Sequence, residues 1–129
     1  MSHTVKVAVA FKTAEIPSLR KAFEAKGWTL IENAMSRQYN GEVGPYRYVA
    51  KNPGRDHNSY DIGINVNGEN LEFMTDTWGG SVERSLGSGL GGLKQEFAVA
   101  VIEDEYPNAT VVRSTDAHGN VLLEVEQWA

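Results

Sequence analysis

The glycine-rich segment 87–92 has the spacing that most resembles a ligand-binding motif. Gly87, Gly89 and Gly92 follow the G-x-G-x-x-G pattern just before a predicted helix. Such glycines let backbone N–H groups approach a pyrophosphate at a helix N-terminus. The surrounding elements give little support to this motif. The preceding predicted strand ends near Thr77, and the chain has hairpins in place of the parallel βαβ unit that dinucleotide binding requires. A flexible connection or lid is the favoured interpretation, and phosphate binding is the alternative.

Basic and aromatic side chains are interleaved between residues 37 and 57. Arg47 and Arg55 stand near three tyrosines, and a surface of this kind can stack bases and contact phosphates. However, the chain carries seventeen acidic and twelve basic residues, a formal net charge of −5, which opposes binding to a polyphosphate backbone. We therefore disfavour nucleic acid as a partner and retain Arg47 and Arg55 as ligand or interface candidates.

The acidic residues and histidines form no recognised catalytic or metal-binding pattern. His57, Asp61 and Asp76 are the polar residues best suited to acid–base chemistry, but no spacing sets two metal ligands on one face. The chain has no cysteine, which excludes thiolate metal sites and disulfides. We expect no metal and no cofactor, and enzymatic activity through Asp61, His57 and Asp76 ranks behind a binding function.

Trp78 is an aromatic candidate of a different kind. It stands directly before Gly79 and Gly80, so a bulky ring is followed by two residues without side chains. Aromatic rings at such places often lie at a pocket mouth or an interface. We therefore include Trp78 among the interface candidates.

The periodicity of apolar residues predicts the elements that position these side chains. Alternation over residues 5–11 predicts a strand, and the spacing between Pro17 and Gly27 predicts a helix. Between residues 28 and 60 we predict two short strands, 28–31 and 46–50, with loop elsewhere. A second helix follows Gly92, and two strands near 110–114 and 121–127 end the chain.

The segment 60–76 is the clearest hairpin. Ile62, Ile64 and Val66 alternate with polar or small residues and are predicted to face the core. Asn67-Gly68 tolerates the positive φ angles of a tight turn, and a second alternating run follows.

The resulting order, β-α-β-β-β-β-α-β-β, predicts a single α+β domain over residues 1–129. Hairpins dominate and two helices are available, so we expect a mostly antiparallel sheet with both helices on one face, a ferredoxin-like sandwich with extra strands. No apolar run approaches the roughly 20 residues that span a bilayer, and no signal-peptide pattern begins the sequence. We expect a soluble, intracellular protein.

Several short motifs also occur in a recognisable order, namely Met1-Ser2-His3, Tyr60-Asp61-Ile62-Gly63, Asn67-Gly68, Asp76 near Trp78, the turn 116–119 and Trp128. Through these motifs the chain resembles the uncharacterised family called hypothetical chloroplast open reading frame thirty-five, over nearly its whole length. That family has cyanobacterial, plastid and phage members. The resemblance implies a cytoplasmic location in a cyanobacterial or phage-infected cell, or the plastid stroma. It implies no reaction, and the chain departs from the pattern at Trp78-Gly79-Gly80, where a bulkier aromatic and acidic segment is expected.

We therefore predict a non-enzymatic protein-binding or regulatory module that acts through a protein partner or self-association, without a membrane. The ligand or interface candidates are Tyr60, Asp61, Asp76, Trp78, Arg47, Arg55 and His57. The alternative is a small-ligand or nucleotide-binding protein that uses the connection 79–92 and the loop containing the arginines and tyrosines.

Overall fold

The structure is a computed structural model that describes residues 4–39, 41–54, 56, 58–76, 80–105, 109–115 and 121–127. Its strands are β1 (Thr4–Lys12), β2 (Thr29–Gln38), β3 (Gly41–Lys51), β4 (Ile62–Asn67), β5 (Asn70–Asp76), β6 (Ala109–Thr115) and β7 (Val121–Gln127). Its helices are α1 (Ile16–Ala25), α2 (Ser81–Leu86) and α3 (Gly91–Glu105), and single 3-10 turns cover Thr13–Glu15 and Ser88–Leu90.

The first five strands form one antiparallel sheet in the order β1-β5-β4-β3-β2, and β6 pairs with β7 in a second, two-stranded sheet. The predicted α+β class is therefore confirmed, and so is the predicted order of the strands and the two long helices. The ferredoxin-like arrangement of these elements stays a prediction.

The main core lies between α1, α2, α3 and one face of the five-stranded sheet. Phe23 of α1, Leu93 of α3 and Phe73 of β5 are all fully buried there. Pro17 stands in the first turn of α1, and Gly27, with φ of 80°, follows its end, as predicted. Burial of these apolar side chains is the main stabilising term for the fold.

The β4–β5 hairpin matches its prediction except at the tip. Ile62 and Ile64 are buried in the core, as is Leu71 opposite Val66, but Val66 itself is 40% exposed. The two turn residues are Gly68 and Glu69, one position later than predicted.

In segment 28–60 the two predicted strands, 28–31 and 46–50, are present as parts of β2 and β3, but the loop predicted between them is wrong. β2 and β3 form a long hairpin with a register shift between Ala34 and Ser36, and Asn33 adopts a left-handed φ of 49°. These irregularities twist the hairpin so that its distal half curls over the second face of the sheet. Ser36 and Gln38 become buried there, which removes the apolar alternation by which a strand is recognised.

A short helix, α2, was also missed inside the glycine-rich connection. Its buried residues are Val82 and Leu86, spaced i and i+4, a pattern too short to distinguish a helix from a loop. The indole N–H of Trp28 donates to Ser85 Oγ at 2.6 Å, which holds α2 against the start of β2. No helix within the part of the chain that the structure describes is long and apolar enough to cross a membrane.

Candidate functional site

Asp61 lies beneath the curled β2–β3 hairpin and is 4% exposed. Its Oδ2 accepts hydrogen bonds from the Arg37 backbone N–H at 2.8 Å and from Lys51 Nζ at 3.1 Å. Its Oδ1 accepts from the Asn52 backbone N–H at 2.9 Å. A buried carboxylate with three donors, one of them a lysine, has its charge compensated by its structural neighbours.

Asp76, at the end of β5, is fully buried on the same face of the sheet. Its Oδ2 accepts a hydrogen bond from the Tyr39 backbone N–H at 3.2 Å. Ile62 of β4 pairs with Thr75 of β5 in the antiparallel sheet. Asp61, which precedes Ile62, and Asp76, which follows Thr75, are therefore neighbours. Both carboxylates therefore bind the backbone of the curled hairpin, at Arg37 and at Tyr39.

Tyr60 occupies the main core and is 3% exposed. Its hydroxyl donates to Asn58 Oδ1 at 3.2 Å. Burial raises the pKa of the Tyr60 phenol above its ordinary value of 10.0, and the negative charge of Asp76 raises it further. The phenol is therefore neutral over the physiological range.

Tyr60, Asp61 and Asp76 are thus brought together by the fold, but each is buried and has a structural contact. Their role as ligand or interface residues stays a prediction. Arg55, His57 and Trp78 lie outside the described residues, as do the termini and the turn 116–119 that carry part of the resemblance.

Arg47, by contrast, is an exposed side chain on β3. Its guanidinium carbon lies 5.7 Å from the centroid of the Tyr48 ring, a cation–π distance. Among the described residues it has no hydrogen bond or ion pair. With respect to the described residues, the five N–H donors of the guanidinium are therefore available to a ligand.

A surface hollow of about 500 Å³ opens beside Arg47. The remaining residues of its lining are Tyr48 of β3, Asn65 and Val66 of β4, and Thr13 of the first 3-10 turn. The hollow thus combines a cation, an amide, a hydroxyl and an apolar side chain, which is a composition typical of binding sites.

A second hollow of about 600 Å³ is also lined by Thr13. Its lining consists of Lys12, Thr13, Ala14, Glu15, Gly68 and Glu69. Thr13 is held in place because its backbone N–H donates to Glu69 O at 2.9 Å and its hydroxyl donates to Gly68 O at 3.1 Å. We call the two depressions together the Thr13 groove.

Of the predicted ligand or interface residues that the structure describes, only Arg47 lines the Thr13 groove. Thr13 and Asn65 are far apart in sequence and have no motif around them. The groove forms because the 3-10 turn after β1 docks on the β4–β5 turn, and no local pattern encodes that contact.

The glycines of the predicted phosphate motif make close contacts with one another. Gly87 has a φ of 87°, and a Cβ on it would lie 2.7 Å from the Gly92 backbone nitrogen. A Cβ on Gly92 would lie 2.9 Å from the Leu86 carbonyl oxygen. The close approach of α2 and α3 therefore explains the need for glycine at both positions. Phosphate binding by Gly87, Gly89 and Gly92 stays a prediction.

The described residues contain no group of three or more histidine, aspartate or glutamate side chains arranged to hold a metal ion. Comparison of the chain with family models, with curated proteins and with solved structures finds no match in any of the three. The resemblance to the chloroplast reading-frame family therefore rests on the motifs quoted above and stays a prediction.

Proposed function

We propose that the protein is a non-enzymatic binding module that docks a partner protein at the Thr13 groove. The observation that carries this proposal is the exposed guanidinium of Arg47, which has no carboxylate partner among the described residues and faces a hollow. An arginine stacked on an aromatic ring and open to solvent is a frequent element of protein interfaces.

The environment of the acidic residues supports a non-enzymatic role. Asp61 and Asp76, the first candidates for acid–base chemistry, are 4% and 0% exposed. A general acid or base must reach a substrate within hydrogen-bond distance, and these carboxylates instead hold the curled hairpin.

The covered edge of β2 argues against docking by strand addition at that edge. Leu30 O accepts from the Arg20 guanidinium and Met35 O accepts from Lys51 Nζ. Further along, Arg37 O accepts from the Asp61 backbone N–H at 2.8 Å. With these edge groups already paired, side chains around Arg47 are a better recognition surface than the β2 backbone.

The resemblance supplies the setting for this proposal. A photosynthetic host or its phage, with the protein in the cytoplasm or the plastid stroma, is the context in which a partner is best sought.

The alternative is a small-ligand or nucleotide-binding protein. The volumes of the two hollows, about 500 and 600 Å³, favour it, since they fall in the range of small-molecule sites. In this version the ligand binds beside Arg47, within the segment of arginines and tyrosines, rather than at the connection 79–92.

Affinity capture with three versions of the protein tests the proposal. Wild type, Arg47→Ala and Lys21→Ala are used as baits in lysate of the source organism, with Lys21 as an exposed cation on α1 away from the groove. We expect a partner that is recovered equally by wild type and Lys21→Ala and is depleted with Arg47→Ala. Equal recovery by all three baits contradicts the proposal.

Two further measurements identify what binds. If no partner is recovered but small ligands raise the melting temperature of the protein, the alternative is favoured. Light scattering shows whether the partner is a second copy of the chain.

A further inference from the structure

Beyond docking in general, the Thr13 groove has features that specify the chemistry of its ligand. We propose that it binds an extended peptide segment in which one carboxylate pairs with Arg47 and an apolar side chain two residues away enters the second hollow. This inference rests on the proposed function and names the partner class for the same site.

The Arg47 end of the groove favours a carboxylate. The guanidinium presents parallel N–H donors that match a carboxylate in a bidentate pair. The guanidinium carbon lies 5.7 Å from the centroid of the Tyr48 ring, and the side-chain amide of Asn65 adds a further donor at the rim. Since Arg47 has no carboxylate partner within the described part of the chain, it suits an anionic side chain of the ligand.

A nucleic acid fits the same surface poorly. Its backbone presents a row of phosphates, whereas the adjoining hollow carries the carboxylates of Glu15 and Glu69. The lysine in that hollow, Lys12, already donates to Asn70 Oδ1 at 2.7 Å. The formal net charge of −5 opposes a polyanion as well.

The second hollow favours an apolar side chain. Ala14 contributes a methyl group, and the stems of Lys12 and Glu15 provide aliphatic surface while their charged ends can remain in water. A second acidic side chain there would be repelled by Glu15 and Glu69. An uncharged, apolar residue is therefore the best complement to this hollow.

The spacing of the two ligand side chains follows from Thr13, which lines both hollows. The two hollows therefore adjoin each other at this residue. Side chains i and i+2 of an extended peptide lie on the same face, roughly 6.6 Å apart. A segment with an acidic and an apolar residue in alternate positions, such as leucine–threonine–glutamate, can occupy both hollows at once.

Four labelled heptapeptides test this inference by fluorescence anisotropy. The first has leucine two residues before glutamate at its centre, and the others replace leucine by serine, glutamate by glutamine, or both. We expect wild type to bind the leucine–glutamate peptide at least about tenfold more tightly than either single replacement.

Two variants of the protein separate the two halves of the groove. Arg47→Ala should lose the preference for glutamate over glutamine and keep the preference for leucine. Ala14→Trp should fill the second hollow and lose the preference for leucine while it keeps that for glutamate. Lys21→Ala is the control and should bind as wild type does; both groove positions are exposed, so neither substitution disturbs the core.

The inference is overturned if wild type does not distinguish glutamate from glutamine, if no peptide binds at millimolar concentration, or if Arg47→Ala keeps the discrimination. Tighter binding of a single-stranded oligonucleotide than of the peptides also overturns it. If the peptides fail but capture of a partner still depends on Arg47, the docking function stands and only the peptide chemistry is wrong. Capture that is independent of Arg47 refutes the docking function itself.

Discussion

Arg37 and Asp61 bind each other through two reciprocal hydrogen bonds. The Arg37 backbone N–H donates to the Asp61 carboxylate, and the Asp61 backbone N–H donates to the Arg37 carbonyl, both at 2.8 Å. These bonds join the end of β2 to the residue before β4, although β3 lies between those strands in the sheet. The pair closes the curl of the β2–β3 hairpin.

Removal of the Asp61 carboxylate should release the curled part of the β2–β3 hairpin and destabilise the protein. Asp61→Ala leaves the part-buried N–H groups of Arg37 and Asn52 without acceptors, so we expect a loss of about 2–4 kcal/mol in the free energy of unfolding. Urea denaturation measures it. The control is Asp56→Ala, because Asp56 is exposed and offers only its backbone carbonyl to Arg37. Equal midpoints for the two variants would show that the carboxylate does not hold the hairpin.

Gly63 should not tolerate a side chain while Tyr46 covers it. A Cβ at Gly63 would lie 2.5 Å from Tyr46 Cε2, so Gly63→Ala must displace the ring or the strand. We expect it to destabilise the protein by about 1–3 kcal/mol. In a Tyr46→Ala background the same change should cost much less, because the clash is absent. A double-mutant cycle in urea measures the coupling, and additive effects would refute the contact.

Ser85 should anchor α2 through the indole of Trp28. Trp28 is 1% exposed, and Ser85→Ala leaves its N–H without the acceptor at 2.6 Å. We expect a loss of about 1–3 kcal/mol in unfolding free energy. Glu83→Ala, an exposed change in the same helix, is the control and should have a small effect. Thermal denaturation of both variants provides the comparison, and a Ser85→Ala protein as stable as the control would count against the anchor.

Tyr60 should make the protein sensitive to alkali. Its phenol has a raised pKa in the folded state, so below 10.0 it is protonated in both the folded and the unfolded chain and its contribution to stability is complete. As the pH rises above 10.0 the unfolded chain ionises first, and stability is lost as the pH approaches the folded pKa.

Tyr60→Phe tests this pH dependence. It should cost about 1 kcal/mol near neutrality through the lost hydrogen bond to Asn58. Between about pH 9 and about pH 11 it should lose less stability than wild type. The measurement is the urea midpoint of each protein across that pH range. If the midpoints of wild type and Tyr60→Phe fall in parallel as the pH rises, the alkaline sensitivity comes from other groups.

The class of the fold was predictable because its signals are local. Ile62 and Ile64 alternate on one strand, and the stripe on α1 runs from Leu19 to Phe23. Each pattern marks the face of one helix or strand that packs on the core. Burial of that apolar face stabilises the element whatever the rest of the sequence is. The distal part of the β2–β3 hairpin was not predicted because its inner face is polar, with Ser36 and Gln38 buried.

The candidate site was predictable only in part. Arg47 stood out by its type and its tyrosine neighbours, and Tyr60, Asp61 and Asp76 stood out by their chemistry. Whether each is exposed or buried depends on how the hairpin curls over the sheet, a contact between segments far apart in the chain.

The sequence alone therefore determined the α+β class, the antiparallel sheet and the main core, since hydrophobic periodicity acts within single elements. The tertiary structure decided that Asp61 closes a hairpin rather than facing solvent, and that Arg47 and Thr13 share a groove. Those outcomes depend on the register shift in β2–β3 and the docking of a turn on the β4–β5 tip. Such long-range contacts leave no periodic trace in the residues that make them.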